Sequence, residues 1–311
     1  MLSKLLPGFF KQAIKTPIRT IANSGLYVQS FPGEDAYCIK AGNRTAKLPE
    51  GEKLPIPPKG LWLGYGPDAQ AYVSGGERHV TDMIRVLEEQ GFSVGGAKRI
   101  LEFGCAAGRM IRHLPEIAPS AELWGVDMRA QHIRWCVENL TPAIHFATTT
   151  TVPHLPFEDR YFDLIFCGSV FTHIEDIQES WLLELGRIMR PSGILYITIH
   201  DEHTVRLLDT KYRNIRLAKR MQEQQTYRSN KNDFNMIVVG RGAASQVFYS
   251  SRYFQFIIPP IFRWISLTTE AYGYQSAVIL EKLRTDCLRL KFNPRYGLGS
   301  DCTRAAATDL S

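Results

Sequence analysis

The residues from Ile100 to Leu114 combine types that bind a ligand through main-chain atoms. The stretch reads ILEFGCAAGRMIRHL, an apolar run followed by two glycines four residues apart, Gly104 and Gly108, and then by apolar residues at helical spacing. This pattern predicts a strand, a tight loop and a helix. Glycine lets the backbone approach a bound molecule closely, and the start of a helix directs free N–H groups toward it. We therefore expect a ligand-binding junction in an α/β sheet.

An acidic residue at the end of the next apolar run extends this junction. The run ELWGVD ends at Asp127, nineteen residues after Gly108, where a carboxylate can bind the two hydroxyls of a ribose. The dinucleotide fingerprint needs glycine at its first, third and sixth positions, which here are Gly104, Ala106 and Arg109. Arginine at the sixth position obstructs the close contact of helix and strand. A nucleoside ligand is therefore predicted, with NAD or FAD as the disfavoured alternative.

Two histidines follow apolar runs in positions suited to proton transfer. His173 lies in CGSVFTHI and His200 in ITIHD. Ligands of parallel sheets bind beyond the carboxyl ends of the strands, and histidine is the side chain whose ordinary pKa best suits a general base. His173 has an equal alternative as a structural residue before the next helix. His200 is the weaker candidate for the base, and its alternative is to shape the pocket.

The elements that must position these residues alternate between strands and helices. Period-two and helical spacing of apolar residues predict five strands and three intervening helices. The strands lie near 98–103, 122–127, 143–148, 161–167 and 194–200, and the helices near 109–114, 130–140 and 176–190. The segment GERHVTDMIRVLEEQG predicts a leading amphipathic helix that stops at Gly91, and FRWISLTTEA and QSAVILEK predict two late strands.

Four segments of the chain resemble the class I S-adenosylmethionine (SAM) dependent methyltransferases, in the small-molecule branch of that superfamily. They are LEFGCAAGR, LWGVDMRAQHI, LPFEDRYFDLIFCGSVFTHI and LGRIMRPSGILYITIH, in the order and at the separations usual for the family. The resemblance covers roughly residues 60 to 283. It implies an α/β, Rossmann-like sheet of seven strands, with helices on both faces and an antiparallel last strand. It also implies that SAM is the cofactor.

The resemblance carries the family's cofactor contacts to particular residues. The glycine loop would wrap the methionine part of SAM with Glu102 beneath it, Asp127 would bind the ribose and Met128 would pack on the adenine. The set expected at the cofactor is Glu102, Gly104, Cys105, Ala106, Gly108, Asp127, Met128 and Cys167. Many relatives have an acidic residue for the adenine amino group where this chain has Thr151. That loop therefore lacks the family's adenine contact.

The residues around the predicted fourth and fifth strands favour a small acceptor. A hydroxyl acceptor benefits from a general base, and His173 and His200 are the candidates. Nucleic-acid base methyltransferases carry an Asn/Asp-Pro-Pro-aromatic motif after the fourth strand, where this chain reads CGSV. We therefore expect O-methylation of a small hydroxylated molecule or glycan, such as a sugar or secondary metabolite, and no nucleic-acid partner. Alternatives are N-methylation of a small amine, an NAD-dependent oxidoreductase and an inactive methyltransferase-like binding module.

The chain divides into an N-terminal extension and linker, a catalytic domain and a tail. The boundaries are predicted at 1–60, 61–283 and 284–311, and residues 202–247 form a basic insertion. The resemblance implies that this insertion is a lid over the acceptor, whereas its charge alone fits a solvated helix face. Residues 1–24 place lysines and an arginine among apolar residues, which suits contact with an anionic membrane surface. Two prolines there break the helix and favour packing on the protein's own core instead.

Composition and cysteine spacing predict the compartment. The formal charge is +6 and 44% of the residues are hydrophobic, which describes a globular protein with a mild basic bias. Six cysteines without a C-x-x-C pair favour a reducing compartment, so we expect the cytoplasm, with membrane association through residues 1–24 as an additional possibility. The apolar stretch FQFIIPPIFRWISL is interrupted by prolines and an arginine and is not expected to span a membrane.

A metal site is considered and not predicted. His200, Asp201 and His203 are three candidate ligands, and some sugar methyltransferases use magnesium. Three ligands on one short run are a pattern of low specificity, so no metal ligand is assigned. The sequence does not specify the oligomeric state.

Overall fold

The computed structural model describes residues 54–140 and 143–284. The basic amphipathic segment 1–24, most of the predicted linker and nearly all of the predicted tail lie outside these residues, so the predictions about them stay predictions. In the described part, no helix is both long enough and apolar enough to cross a membrane. Three cysteines, Cys105, Cys136 and Cys167, are buried free thiols.

The leading helix, α1, spans Ala69–Glu89. Asp68 caps its first turn, because its Oδ1 accepts a hydrogen bond from the Ala71 N–H at 2.8 Å. The helix buries one face, which includes Tyr72, Met83 and Leu87, and it ends just before Gly91, whose φ of +82° suits a helix terminus. The predicted helix is confirmed. It begins at Ala69, before the predicted segment, which begins at Gly76.

The remaining elements follow the predicted alternation. The first half contains β1 (Arg99–Phe103), α2 (Leu114–Ile117), β2 (Glu122–Asp127), α3 (Ala130–Asn139) and β3 (His145–Thr148). The second half contains β4 (Phe162–Cys167), α4 (Gln178–Ile188) and β5 (Met189–Ile199). The predicted helix at 109–114 differs most, because a 3-10 turn at Ile111–His113 comes first and α2 is a single turn.

Residues after β5 build an insertion and the two closing strands. The insertion contains α5 (Glu202–Asp209), α6 (Arg216–Gln222), α7 (Gln225–Asn230), β6 (Met236–Val239) and β7 (Gln246–Tyr249). After it come α8 (Ser251–Ile257), β8 (Phe262–Tyr272) and β9 (Gln275–Lys282). The insertion therefore has regular secondary structure of its own.

The main sheet has seven strands in the order β3-β2-β1-β4-β5-β9-β8. Strands β1 to β5 are parallel to one another, and β9 is antiparallel to both β5 and β8. Neighbouring residues such as Ile100 and Leu101 enter different apolar clusters, since strand side chains alternate between faces. One cluster includes residues of α1 and α3 and the other residues of α4 and α8. The predicted sheet, with helices on both faces and an antiparallel last strand, is confirmed.

The insertion packs around a small core of its own. Eight buried side chains form this core: Val205, Leu208, Ala218, Met221, Tyr227, Ile237, Val239 and Phe248. The insertion is joined to the main sheet where Phe248 bridges His200, and where the Tyr249 N–H donates to the His200 carbonyl at 2.9 Å. It therefore lies at the carboxyl end of β5, beside the edge where a ligand of this sheet would bind.

Candidate active site

The loop between β1 and α2 depends on glycine at two points. Gly104 and Gly108 have φ of +84° and +71°. A Cβ at Gly104 would lie 2.3 Å from Val170 Cγ2, and one at Gly108 would lie 2.6 Å from Leu140 Cδ1. Ala106 between them also has a positive φ, of 46°, in a region that disfavours residues with a Cβ. The predicted strand and loop are present, and side chains of this chain itself pack closely on both glycines. Close approach of a ligand to this backbone stays a prediction.

Asp127 at the end of β2 orders this loop. Its Oδ2 accepts a hydrogen bond from the Ala106 N–H and its Oδ1 from the Arg129 N–H, both at 2.8 Å. Each carboxylate oxygen can accept a further hydrogen bond, because a carboxylate has about four acceptor positions. Asp127 thus holds the glycine loop and the start of α3 together and keeps acceptor capacity for ligand hydroxyls.

Glu102 lies inside β1, beneath the loop, as predicted. Its Oε2 accepts a hydrogen bond from the Ile111 N–H at 2.9 Å, which ties the strand to the 3-10 turn. Burial raises the pKa of this carboxyl to about 8, so its neutral form predominates at neutral pH. Glu102 therefore shapes the loop without adding a full negative charge to the site.

Arg109, directly after the glycine loop, is a buried cation that the sequence analysis treated only as a steric obstacle. Its side chain is 5% exposed. Nη2 hydrogen bonds His79 Nδ1 at 2.8 Å and also donates to the Tyr272 hydroxyl, and the guanidinium carbon lies 4.0 Å from the centroid of the Tyr65 ring. Burial holds the pKa of His79 down at about 3, so this imidazole is neutral and its Nδ1 accepts the hydrogen bond from Arg109. No carboxylate of the described residues forms an ion pair with Arg109.

This arginine cluster lies between the glycine loop and the turn after β4. A Cβ at Gly76 of α1 would lie 2.2 Å from the Arg109 carbonyl oxygen, and one at Gly168 would lie 3.0 Å from the Tyr272 ring. The helix, the loop and the turn are therefore in close contact around the cation. Burying a guanidinium without a carboxylate costs several kcal/mol unless other groups compensate it. Burial lowers the pKa of Arg109, but Tyr272 and Tyr65 outweigh that effect and raise the pKa above its ordinary value, so these partners already compensate the charge. An anionic group of a ligand would add to this compensation.

The turn after β4 is held by a polar network. Ser169 has φ of 60°, and its N–H donates to Thr198 Oγ1 at 2.7 Å. Thr198 Oγ1 donates to Gln275 Oε1 at 2.6 Å, and Gln275 Nε2 donates to Ser169 Oγ at 2.9 Å. The network links the ends of β4, β5 and β9, so three strands fix the path of the chain toward His173.

His173 lies where this turn meets the insertion. Its Nδ1 is 2.7 Å from the Ser245 carbonyl oxygen, and the Ser245 hydroxyl donates to the His173 carbonyl at 2.6 Å. Because a carbonyl only accepts, Nδ1 carries the proton and Nε2 of the neutral ring has the free lone pair. Burial lowers the pKa of His173, and the charges of Arg129 and Arg220 act in the same direction. The ring is therefore a neutral acceptor of protons at neutral pH.

His200 occupies a different environment from His173. It is 1% exposed and packs 4.8 Å from the Phe248 ring and 5.8 Å from the Tyr274 ring, measured between centroids. Its ring nitrogens have no hydrogen-bond partner among the described residues, and burial lowers its pKa to about 3. This packing suits the predicted alternative, a wall of the pocket, better than a base in contact with an acceptor.

The other predicted cofactor residues contribute mainly backbone or apolar surface. Cys105 and Cys167 are buried, and burial raises the pKa of both thiols, so they are neutral. Met128 is half-buried directly after β2. Tyr65 joins the arginine cluster, whereas Tyr72 is buried and stacks on Trp62 at 5.3 Å.

The three side chains considered as metal ligands, those of His200, Asp201 and His203, do not come together at one point. Asp201 Oδ1 caps α5 by accepting from the Thr204 N–H at 2.9 Å, and His203 Nε2 contacts Glu270 Oε1 at 3.2 Å. Within residues 54–140 and 143–284, no three His, Cys, Asp or Glu side chains are grouped to hold a metal ion.

Comparison with known proteins gives one family match and several similar proteins. Residues 101–197 match the family described as a methyltransferase domain. An uncharacterized protein of Synechococcus is 30% identical over 154 residues, 47% of this chain and 32% of that protein. The malonyl-[acyl-carrier protein] O-methyltransferase of Geobacter sulfurreducens is 24% identical over 147 residues, 47% of this chain and 54% of that enzyme. The chain thus spans a third to a half of the length of these curated relatives.

Two solved structures are similar to this chain. A SAM-dependent methyltransferase of Methanosarcina mazei has a TM-score of 0.44 and 16% identity, and the match covers 64% of this chain and 97% of that one. A SAM-dependent methyltransferase of Clostridium acetobutylicum has a TM-score of 0.48 and 11% identity, and the match covers 67% of this chain and 92% of that one.

Proposed function

We propose that this chain, whose residues 101–197 match a methyltransferase domain, is a class I SAM-dependent methyltransferase that transfers the methyl group of SAM to a hydroxyl group of a small acceptor. The observation that carries the proposal is the state of His173. Its Nδ1 proton is directed to the Ser245 carbonyl, so Nε2 is the ring nitrogen that can take a proton from an acceptor. The glycine loop and Asp127 lie at the same edge of the sheet.

The residues around the loop fit SAM. Asp127 retains acceptor positions for the ribose hydroxyls beyond the hydrogen bond it accepts from the Ala106 N–H. The buried Arg109 lacks a carboxylate partner among the described residues, which suits the methionine carboxylate. When bound, SAM supplies a methyl group on a positively charged sulfur. The remaining catalytic requirement is to hold nucleophile and methyl in line.

His173 has the role of general base in this proposal. Its Nε2 would accept the proton of the acceptor hydroxyl while the oxygen bonds to the methyl carbon and the sulfur–methyl bond breaks. The sulfur would leave as a neutral thioether and the ring would become an imidazolium. The Ser245 carbonyl keeps the ring oriented and stabilises the protonated form through Nδ1. The network of Ser169, Thr198 and Gln275 holds the turn that precedes the base.

Oxygen is favoured over nitrogen as the acceptor atom by one relative. The Geobacter sulfurreducens protein is named as an O-methyltransferase of a malonyl-acyl carrier protein. N-methylation of a small amine remains the alternative, and an acceptor screen separates the two. The screen uses labelled SAM with hydroxylated metabolites, glycans, carboxylic acids and amines.

Binding and turnover are measured separately. Calorimetry with SAM, S-adenosylhomocysteine and NAD tests the cofactor, and binding of NAD in place of SAM would overturn the assignment. Binding of none of the three would support an inactive module. In the acceptor assay, His173→Ala should lower turnover by about 10²- to 10⁴-fold, the usual contribution of a general base, with unchanged SAM affinity. Equal turnover in His173→Ala and the parent protein would remove the base from the proposal.

A further inference from the structure

Tyr65 covers the buried Arg109 from a short loop that precedes α1. Its ring centroid lies 4.0 Å from the guanidinium carbon, and its hydroxyl accepts a hydrogen bond from the Tyr272 hydroxyl at 3.2 Å. The two hydrogen-bond partners of the guanidinium belong to regular elements, since His79 lies within α1 and Tyr272 ends β8. Tyr65 lies outside any helix or strand, so it is the neighbour that a ligand can displace at the least cost to the fold.

The guanidinium of Arg109 keeps hydrogen-bond donors that no group of the described residues uses. Its two hydrogen bonds, to His79 and to Tyr272, both involve Nη2. An arginine side chain has five N–H donors, so the three on Nε and Nη1 remain. Tyr65 contacts the guanidinium through its ring, and this contact is an electrostatic attraction rather than a hydrogen bond. The cation is therefore covered, while part of its hydrogen-bonding capacity is unused.

The loop that carries Tyr65 is anchored at both ends. Before it, the buried Trp62 ring stacks on Tyr72 of α1 with 5.3 Å between ring centroids. After it, the Asp68 side chain caps the first turn of α1. Residues 63–67, the Tyr65 loop, lie between these two anchors. The loop can therefore change its conformation without movement of α1.

The backbone of the Tyr65 loop is bent at three points around Tyr65. Leu63, Gly64 and Gly66 have φ of 53°, 86° and 76°. The conformation of Leu63 is unfavourable for a residue with a Cβ, and its side chain is exposed. Gly64 has open space around it, since a Cβ built there would meet no atom within 4 Å. The side chain that ties this part of the loop to the domain is therefore that of Tyr65.

We propose that the Tyr65 loop is a gate on Arg109, closed while the Tyr65 ring covers the guanidinium and open when an anionic group binds the donors on Nε and Nη1. The anion is the carboxylate of the methionine part of SAM. The inference therefore rests on the proposed function for the identity of the ligand, though not for the gate itself. Opening exchanges the ring contact for charged hydrogen bonds, which are the stronger interaction.

Labelling of Arg109 by phenylglyoxal tests the gate in the absence of any cofactor. This reagent modifies accessible arginine side chains, and the adduct at Arg109 of the full chain is followed by mass spectrometry. We expect slow labelling in the parent and roughly 10-fold faster labelling in Tyr65→Leu, the equilibrium equivalent of one desolvated cation–π contact. Equal rates in the parent and in Tyr65→Leu overturn the inference.

Two control variants separate the cover from other effects, and urea unfolding checks that each variant is folded. Tyr65→Phe keeps the ring without the hydroxyl and should be labelled at Arg109 within about 3-fold of the parent, because the ring is the cover. Tyr161→Leu removes a ring that lies 4.1 Å from the Arg99 guanidinium carbon at the start of β1, and should leave the labelling of Arg109 unchanged. Labelling of either control as fast as that of Tyr65→Leu overturns the gate.

Two ligands distinguish the gate from the proposed function. S-adenosylhomocysteine has the carboxylate of SAM, whereas 5′-methylthioadenosine shares its adenosine and sulfur and lacks the carboxylate. Slower labelling of Arg109 with S-adenosylhomocysteine alone supports the carboxylate as the anion, and equal protection by both ligands overturns that assignment. Labelling that depends on Tyr65 and is unaffected by S-adenosylhomocysteine would leave the gate in place and defeat the cofactor role of Arg109.

Discussion

At the scale of single residues, replacement of Arg109 should affect SAM binding and protein stability to different degrees. We expect Arg109→Met to weaken SAM binding by at least about 10-fold, because the proposed charged hydrogen bond to the methionine carboxylate would be lost. The stability of the ligand-free protein should change by no more than about 1 to 2 kcal/mol, since the variant also removes the desolvation cost of a buried guanidinium. Calorimetry with SAM and urea unfolding without it measure the two quantities. Unchanged SAM affinity would place the carboxylate elsewhere.

Ala106 provides a second prediction at this scale. Its φ of 46° is unfavourable for alanine and ordinary for glycine. Ala106→Gly should therefore raise the free energy of unfolding by roughly 1 kcal/mol. Ala107→Gly is the matched control, because Ala107 is buried and does not have a positive φ, and it should lower stability. A loss of stability in both variants would mean that the left-handed conformation carries no strain.

The role of a candidate residue could be predicted from the sequence when its partners lie close to it along the chain. The short runs that predict a ligand-binding junction contain Gly104, Gly108, Glu102 and Asp127. The role of Arg109 depends on His79 and Tyr272, which lie 30 and 163 residues away, and no local pattern announces such partners. The one local indication of its role is that a long cationic side chain directly follows the glycine loop.

At the scale of elements, the turn after β4 depends on Thr198 of β5. Thr198 is fully buried and its Oγ1 accepts from the Ser169 N–H. Thr198→Val should lower the free energy of unfolding by about 1 to 3 kcal/mol, because this N–H is left without a partner. Thr268→Val on β8 is the control, since Thr268 is only partly buried. Denaturant unfolding of both variants compares them, and equal stability would show that the network does not hold the turn.

The strands were predicted to within a few residues at most ends because their apolar runs are distinct. The region after the glycine loop was less well predicted. The helix expected at 109–114 is a 3-10 turn with a one-turn helix behind it, and Pro119 follows closely. The two histidines illustrate another limit. Both follow strands in similar local contexts, yet the insertion buries His200 and leaves Nε2 of His173 available.

At the scale of the whole molecule, buried histidines set the stability at acid pH. The pKa values of His79 and His200 are lowered by burial to about 3, whereas both take up protons near pH 6.5 once unfolded. Between these values the unfolded state binds more protons at these two positions, so the two histidines raise the free energy of unfolding as the pH rises from about 3 to 6.5. Glu102, whose pKa burial raises from 4.5 to about 8, acts in the opposite direction and lowers the free energy of unfolding as the pH rises between those two values. Urea unfolding across this range measures the slope. His200→Phe should flatten it, and an unchanged slope would argue that the ring is not buried in solution.

The basic residues of the insertion predicted its position in the chain, but the sequence did not predict how the insertion packs. Its basic surface residues dominate the sequence, whereas the apolar ones that form its core are scattered from Val205 to Phe248. Such spacing becomes a core only when α5, α6, α7 and the β6–β7 pair come together. The seven-stranded sheet with an antiparallel last strand, by contrast, was implied by the resemblance that four motifs in their usual succession carry.

The position of Tyr272 has a consequence for biosynthesis. This residue ends β8, yet it contacts Arg109 beside the first strand and Tyr65 before the first helix. On a ribosome the chain emerges from its amino end, so the glycine loop appears long before the hydroxyl that completes its surroundings. β9, which must enter the sheet between β5 and β8, emerges later still. The nascent chain therefore completes the surroundings of Arg109 only once Tyr272 has been synthesised, 163 residues after that arginine.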